Sequence, residues 1–72
     1  MSLKFTITYH KEDRWYVAYC LELGVTSQGE NFEEAQRNIK EAIELYLEDT
    51  PKKEWKHFTV APFIKTIEIS KA

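Results

Sequence analysis

A chain of 72 residues has room for one core, and at this size a single core is only just sufficient. With 31% charged residues, two glycines, two prolines and ten aromatic side chains, the composition is that of a folded domain and excludes a disordered or low-complexity tract. A formal net charge of −2 excludes attachment to nucleic acid or an anionic membrane by bulk charge, and the single cysteine, Cys20, excludes an internal disulfide and a multi-cysteine zinc site.

Leu3, Phe5, Ile7 and Tyr9 alternate with Lys4, Thr6, Thr8 and His10. That period of two predicts a first strand with one buried face. Lys11 to Arg14 is a polar break, short enough for a hairpin, and Trp15 to Cys20 is a second run of aromatic and β-branched residues. In this run Trp15, Val17 and Tyr19 face one way and Tyr16, Ala18 and Cys20 the other. Neither side is plainly polar, which predicts a central strand or a face covered by another subunit. Gly24 punctuates the chain, Val25 to Gln28 reads as a short third strand, and Gly29 turns into the next element.

Ser27 to Asp49 then holds a turn and one long helix. Asn31 is the expected N-cap and Glu34 the returning carboxylate three residues on, with Glu33 and Glu34 where the helix dipole favours negative charge. Phe32, Ala35, Ile39, Ala42, Ile43, Tyr46 and Leu47 recur at the spacing of one buried stripe. Glu33 with Arg37, and Lys40 with Glu44, stand four apart on the outer face as expected ion pairs. Thr50 before Pro51 marks the stop. A loop, KKEWKHFTVAP, follows, and Phe63 to Ser70 is expected to be a last strand, although Lys65 interrupts the alternation of Ile64, Ile67 and Ile69.

The expected fold is therefore α+β, in the order β-β-β-α-β. An antiparallel meander leads into a helix that crosses one face, and the last strand lies beside and parallel to the first, giving a four-stranded mixed sheet of order 3-2-1-4. The helix covers one face of so small a sheet and leaves the other for association, so a homo-oligomer is expected. No basic leader with an apolar run and no membrane-length apolar stretch is present, so a cytoplasmic protein with no membrane partner is expected.

The segment WYVAYCLELGVTSQGENFEEAQRNIKEAIELYLED, Trp15 to Asp49, resembles the HicB antitoxin domain. The resemblance is carried by Tyr16-Val17-Ala18, the Leu23-Gly24 turn, Gln28-Gly29, the polar cap, Glu34-Ala35, Asn38 and Glu41-Ala42. It covers roughly half the chain and implies a partial ribonuclease-H-like fold of this same strand order over a single domain, residues 1–72. It also implies a role in binding and neutralising a HicA-type RNA-cleaving toxin. Many relatives continue into a helix-turn-helix or ribbon-helix-helix segment. This chain ends at Ala72 without one, so direct DNA binding is not expected of it. Arg14 stands where a hairpin glycine is frequent, and Asn31 replaces the usual Thr cap with equivalent capping chemistry.

Catalysis finds little support. Ribonuclease-H enzymes hold metal with several carboxylates, but Glu12, Asp13, Glu22 and Glu30 fall in or beside turns rather than together on rigid strands, so solvated side chains are the better reading. His10 and His57 lack partners at metal-ligand spacing, Cys20 lacks an activating neighbour, and Ser27 lacks a nucleophile elbow. No nucleotide, flavin or nicotinamide motif is present, so neither cofactor nor metal is expected. The loop Lys52-Lys53-Glu54-Trp55-Lys56-His57-Phe58 interleaves cations with aromatics, as single-stranded RNA binders do, yet Trp55 tucked onto the helix is the simpler expectation.

The sequence is thus read as a non-catalytic protein-binding module, an antitoxin-like domain that self-associates. Its expected partner-binding residues are Trp15, Tyr16, Tyr19 and Trp55. The alternatives are a reduced, metal-dependent ribonuclease-H-like nuclease using Glu12, Asp13 or Glu22, and a small RNA-binding protein using Lys52 to Phe58.

Overall fold

The computed structural model describes residues 3–58 and 64–71, without the side chains of residues 56 and 57. Three strands, β1 (Ile7–Glu12), β2 (Trp15–Cys20) and β3 (Thr26–Gly29), precede one helix, α1 (Phe32–Glu48), and a 3₁₀ segment at Lys52–Phe58. The strands form an antiparallel sheet of order β1-β2-β3. β1 runs further into the polar break than its hydrophobic pattern indicated, because Glu12 pairs with Trp15 across a two-residue turn. Asp13 makes that turn at φ 54°, a left-handed conformation that Asp tolerates better than most residues.

Register fixes the two faces. Ile7 lies opposite Cys20, Tyr9 opposite Ala18 and Lys11 opposite Tyr16. On the other side of β2, Tyr16 lies opposite Gly29 and Ala18 opposite Ser27. This set faces α1. Ala18, Cys20, Ala35, Ile39 and Ile43 are buried, and Phe5, Ile7, Tyr9, Tyr16, Leu23, Val25 and Leu47 pack around them. The helix approaches β3 so closely that a Cβ on Gly29 would stand 2.5 Å from the Ala35 backbone nitrogen. Asn38 ties the same contact from the helix, its Nδ2 donating to the Gln28 carbonyl at 2.9 Å. Gly24 closes the β2–β3 connection at φ 71°, donating its N–H to the Cys20 carbonyl at 2.9 Å.

The helix termini follow elementary capping chemistry. Asn31 Oδ1 accepts from the Glu34 N–H at 2.8 Å. Glu34 does not return to the N-cap amide. Its Oε1 accepts instead from the N–H of Glu30, at 3.4 Å. At the other end Thr50 Oγ1 donates to the Tyr46 carbonyl at 2.9 Å. Of the apolar stripe, Ala35, Ile39 and Ile43 are buried, while Phe32 and Tyr46 are exposed at its margins. Phe32 rests on Tyr9, with ring centroids 4.6 Å apart, and Tyr46 meets Phe58 edge-on at 6.2 Å. The expected pairs Glu33–Arg37 and Lys40–Glu44 do not close. Among the described residues the contact at salt-bridge distance is His10 Nε2 to Glu12 Oε2, 3.3 Å and exposed.

The expectation of a four-stranded mixed sheet is overturned. Residues 64–70 of the expected last strand have no regular structure and are exposed throughout, and Phe63 lies outside the described residues. The sheet holds three antiparallel strands, and among the described residues no strand pairs with the outer edge of β1. The physical reason lies in the pattern. In an extended chain Ile67 and Ile69 share a face with Lys65, while Ile64 sits opposite with Thr66 and Glu68, so neither face is uniformly apolar. The α+β class stands, built from a meander and one covering helix. The stretch expected as a loop after Pro51 winds instead into the 3₁₀ segment, at least as far as Phe58.

Candidate functional site

Two surfaces carry the features that a binding site needs. The first is the sheet face turned away from α1, where β2 presents Trp15, Val17 and Tyr19, each partly buried. Their cross-strand neighbours are Glu12, His10 and Thr8 on β1 and, for Val17 and Tyr19, Gln28 and Thr26 on β3. An apolar and aromatic row between two polar ones, on the face opposite α1, has the composition of an interface core with a polar rim. Because side chains alternate along β2, the face exists only because the whole strand is apolar.

The second surface is a groove of about 710 Å³ between β1 with its N-terminal extension and α1. Leu3, Phe5 and Ile7 form one wall and Ile39, Ile43 and Leu47 the other. Glu33, Arg37, Lys40 and Glu44 stand along the helix side of it. The groove exists because α1 lies across β2 and β3, so that β1, at the edge of the sheet, is covered mainly at its Tyr9–Phe32 contact.

The four residues expected to meet a partner are not brought together. Trp15 and Tyr19 share the open sheet face, whereas Tyr16 points to the helix side among the groups packed on the core. Lys11 Nζ lies 5.5 Å from the Tyr16 ring centroid. Trp55 sits in the 3₁₀ segment beyond the helix, its Nε1 donating to the Thr50 carbonyl at 3.0 Å and its ring 5.9 Å from Lys52 Nζ. Val17, which the sequence places on the same face as Trp15 and Tyr19, completes their row but was not among the expected partner-binding residues. Its position between them on a period-two strand was the signal.

The carboxylates do not converge. Glu12 and Asp13 lie at the hairpin tip and Glu22 beside the opposite end of β1, about 17 Å away by strand rise. Among the described residues no three of His, Cys, Asp and Glu gather as a metal-ligand set. Glu22 has a local task instead. Its Oε1 accepts from the Thr6 N–H at 2.8 Å and lies 3.8 Å from Cys20 Sγ. Burial alone raises its carboxyl pKa, but the hydrogen bonds from Thr6, its own backbone and Cys20 outweigh this and hold it below the ordinary glutamate value. Burial pushes the Cys20 thiol up, which keeps it protonated and unreactive. None of the described helices is long and apolar enough to cross a membrane.

No protein-family model matches the chain, and no solved structure matches it. A UPF0150 protein of Helicobacter pylori is 58% identical over 40 residues, which cover 54% of this chain and 56% of that protein. A UPF0150 protein of Synechocystis sp. is 54% identical over 46 residues, covering 61% of this chain and 58% of that one. By sequence, then, the chain is similar to proteins bearing the UPF0150 designation over somewhat more than half of its own length, and spans a little over half of theirs.

Proposed function

We propose that this chain is a HicB-like, non-catalytic binding module that self-associates and neutralises a HicA-type RNA-cleaving toxin by covering its active site. The observation that carries the reading is the uncovered sheet face with Trp15, Val17 and Tyr19 in one row, since rigid aromatic side chains on a strand are the usual anchors of a protein interface. The resemblance of Trp15 to Asp49 to the HicB antitoxin domain supports it, and the similarity to UPF0150 proteins falls on much the same share of the chain, 40 to 46 residues. The nuclease alternative is disfavoured by distance, since Glu12 and Asp13 stand about 17 Å along β1 from Glu22, too far to share one pair of metals. Trp55, with its indole N–H already bonded to Thr50, is a less ready stacking platform for RNA than an open ring would be.

The test is co-purification with a HicA-type toxin encoded beside this chain. The two are expected to co-elute and RNA cleavage to stop. Separate elution with undiminished cleavage removes the antitoxin role. Incubating the isolated chain with labelled RNA and Mg²⁺ or Mn²⁺ is expected to leave the RNA intact, and cleavage lost on Asp13→Asn would turn the assignment to the nuclease.

A further inference from the structure

The open sheet face is apolar along β2, and one corner of it is acidic. The cross-strand neighbours of Trp15, Val17 and Tyr19 include one carboxylate, Glu12, and no lysine or arginine. Lys11, next to Glu12 in the chain, belongs to the opposite face, where its Nζ lies 5.5 Å from the Tyr16 ring centroid. Glu12 keeps 68% of its side chain exposed, with His10 Nε2 at 3.3 Å from its Oε2. We infer that Trp15 and Glu12 together seat one arginine or lysine side chain of the protein partner. The cation lies on the indole face and donates a charge-assisted hydrogen bond to the carboxylate. This rests on the toxin-binding reading proposed above and names the chemistry by which the partner is recognised.

Three observations favour this occupant. The first is register. Glu12 and Trp15 are direct cross-strand partners, so their side chains leave the same face about 5 Å apart at Cβ, close enough for one cation to touch both. The second is how the chain uses its own cations. Among the described residues Lys11 lies by Tyr16 and Lys52 by Trp55, whereas no lysine or arginine of the chain lies over Trp15 or Tyr19. The aromatic rings of the open face are thus the ones left to take a cation from outside.

The third is charge complementarity. An enzyme that cleaves RNA must hold a polyanion, so the surface around its active site is basic. A module that covers such a surface gains from a carboxylate at its contact face and loses from a cation there. Asp13 and Arg14 at the hairpin tip cancel, which leaves Glu12 to set the sign of this corner. The same logic excludes other occupants. A second copy laid face to face offers no lysine or arginine from the rows beside β2, and an RNA phosphate is repelled by Glu12.

The experiment is a calorimetric titration of the HicA-type toxin encoded beside this chain with the full chain and its variants, with circular dichroism as the check on folding. Glu12→Gln is expected to weaken binding about tenfold, the usual worth of a hydrogen bond to a charged group. Glu12→Lys is expected to weaken it further, by like-charge repulsion. Trp15→Leu, which keeps apolar bulk and removes the ring, is expected to cost about fivefold. Asp13→Asn removes the same charge one residue away and is expected to bind as wild type does. Raising the salt concentration is expected to weaken wild-type binding more than that of Glu12→Gln. Wild-type affinity in both Glu12 variants, or an equal loss from Asp13→Asn, overturns the cation seat and leaves the antitoxin reading in place. No binding by the wild-type chain overturns both.

Discussion

Gly29 is the residue on which the helix-to-sheet distance depends. Its φ is not in the left-handed region, so what it supplies is space, which the backbone of Glu34 and Ala35 fills. Gly29→Ala is therefore expected to lower stability by about 1–3 kcal/mol, the cost of forcing a packed contact apart, read as a lower urea midpoint. Glu22 controls the acid side. Its folded-state pKa lies below the ordinary glutamate value, so the stability it contributes is fully present above the usual glutamate range and is lost as pH falls through the depressed value. Glu22→Gln is expected to flatten the fall in melting temperature below about pH 4 relative to wild type. An unchanged acid slope would separate this carboxylate from folding. Glycine before a helix is visible in the sequence, but a backbone contact that excludes a single Cβ is not, because it depends on where the helix settles. The bond from Thr6 to Glu22 is equally invisible, since it joins residues sixteen apart.

At the scale of elements, α1 was the most legible part of the chain. Asn31 accepts from Glu34 as its spacing indicated, and Asn31→Ala is expected to cost about 1 kcal/mol in urea unfolding at an unchanged slope, with Asn31→Asp near wild type. The stripe was legible at its centre, where Ala35, Ile39 and Ile43 are buried. It was less so at Phe32 and Tyr46, which find aromatic neighbours rather than the core. The exposed ion pairs were over-read, as four-residue spacing permits a pair without forcing one against solvent competition. The absence of the expected last strand over residues 64–70 has a different origin. A β-β-β-α pattern invites a strand beside β1, yet strand identity there depends on a partner surface, and Lys65 leaves no uniformly apolar face to choose.

For the whole molecule, one helix on a three-stranded sheet buries few residues and leaves two apolar surfaces, on opposite sides of the sheet. The open face was legible because every position of β2 from Trp15 to Cys20 is apolar, aromatic or cysteine, and a strand apolar on both sides needs two coverings. The sequence could not separate the anchors, because which parity meets the helix depends on the pairing of β2 with β1. Register resolves it, placing Tyr16 inward and Trp15 and Tyr19 outward. The most direct test is a calorimetric titration of a HicA-type toxin with the wild-type chain and with Trp15→Ala and Tyr19→Ala. Each substitution is expected to weaken binding roughly thirtyfold, about 2 kcal/mol, with the circular dichroism of the chain unchanged. Wild-type affinity retained by both variants, or no heat of binding from the wild type, would contradict the assignment of this face.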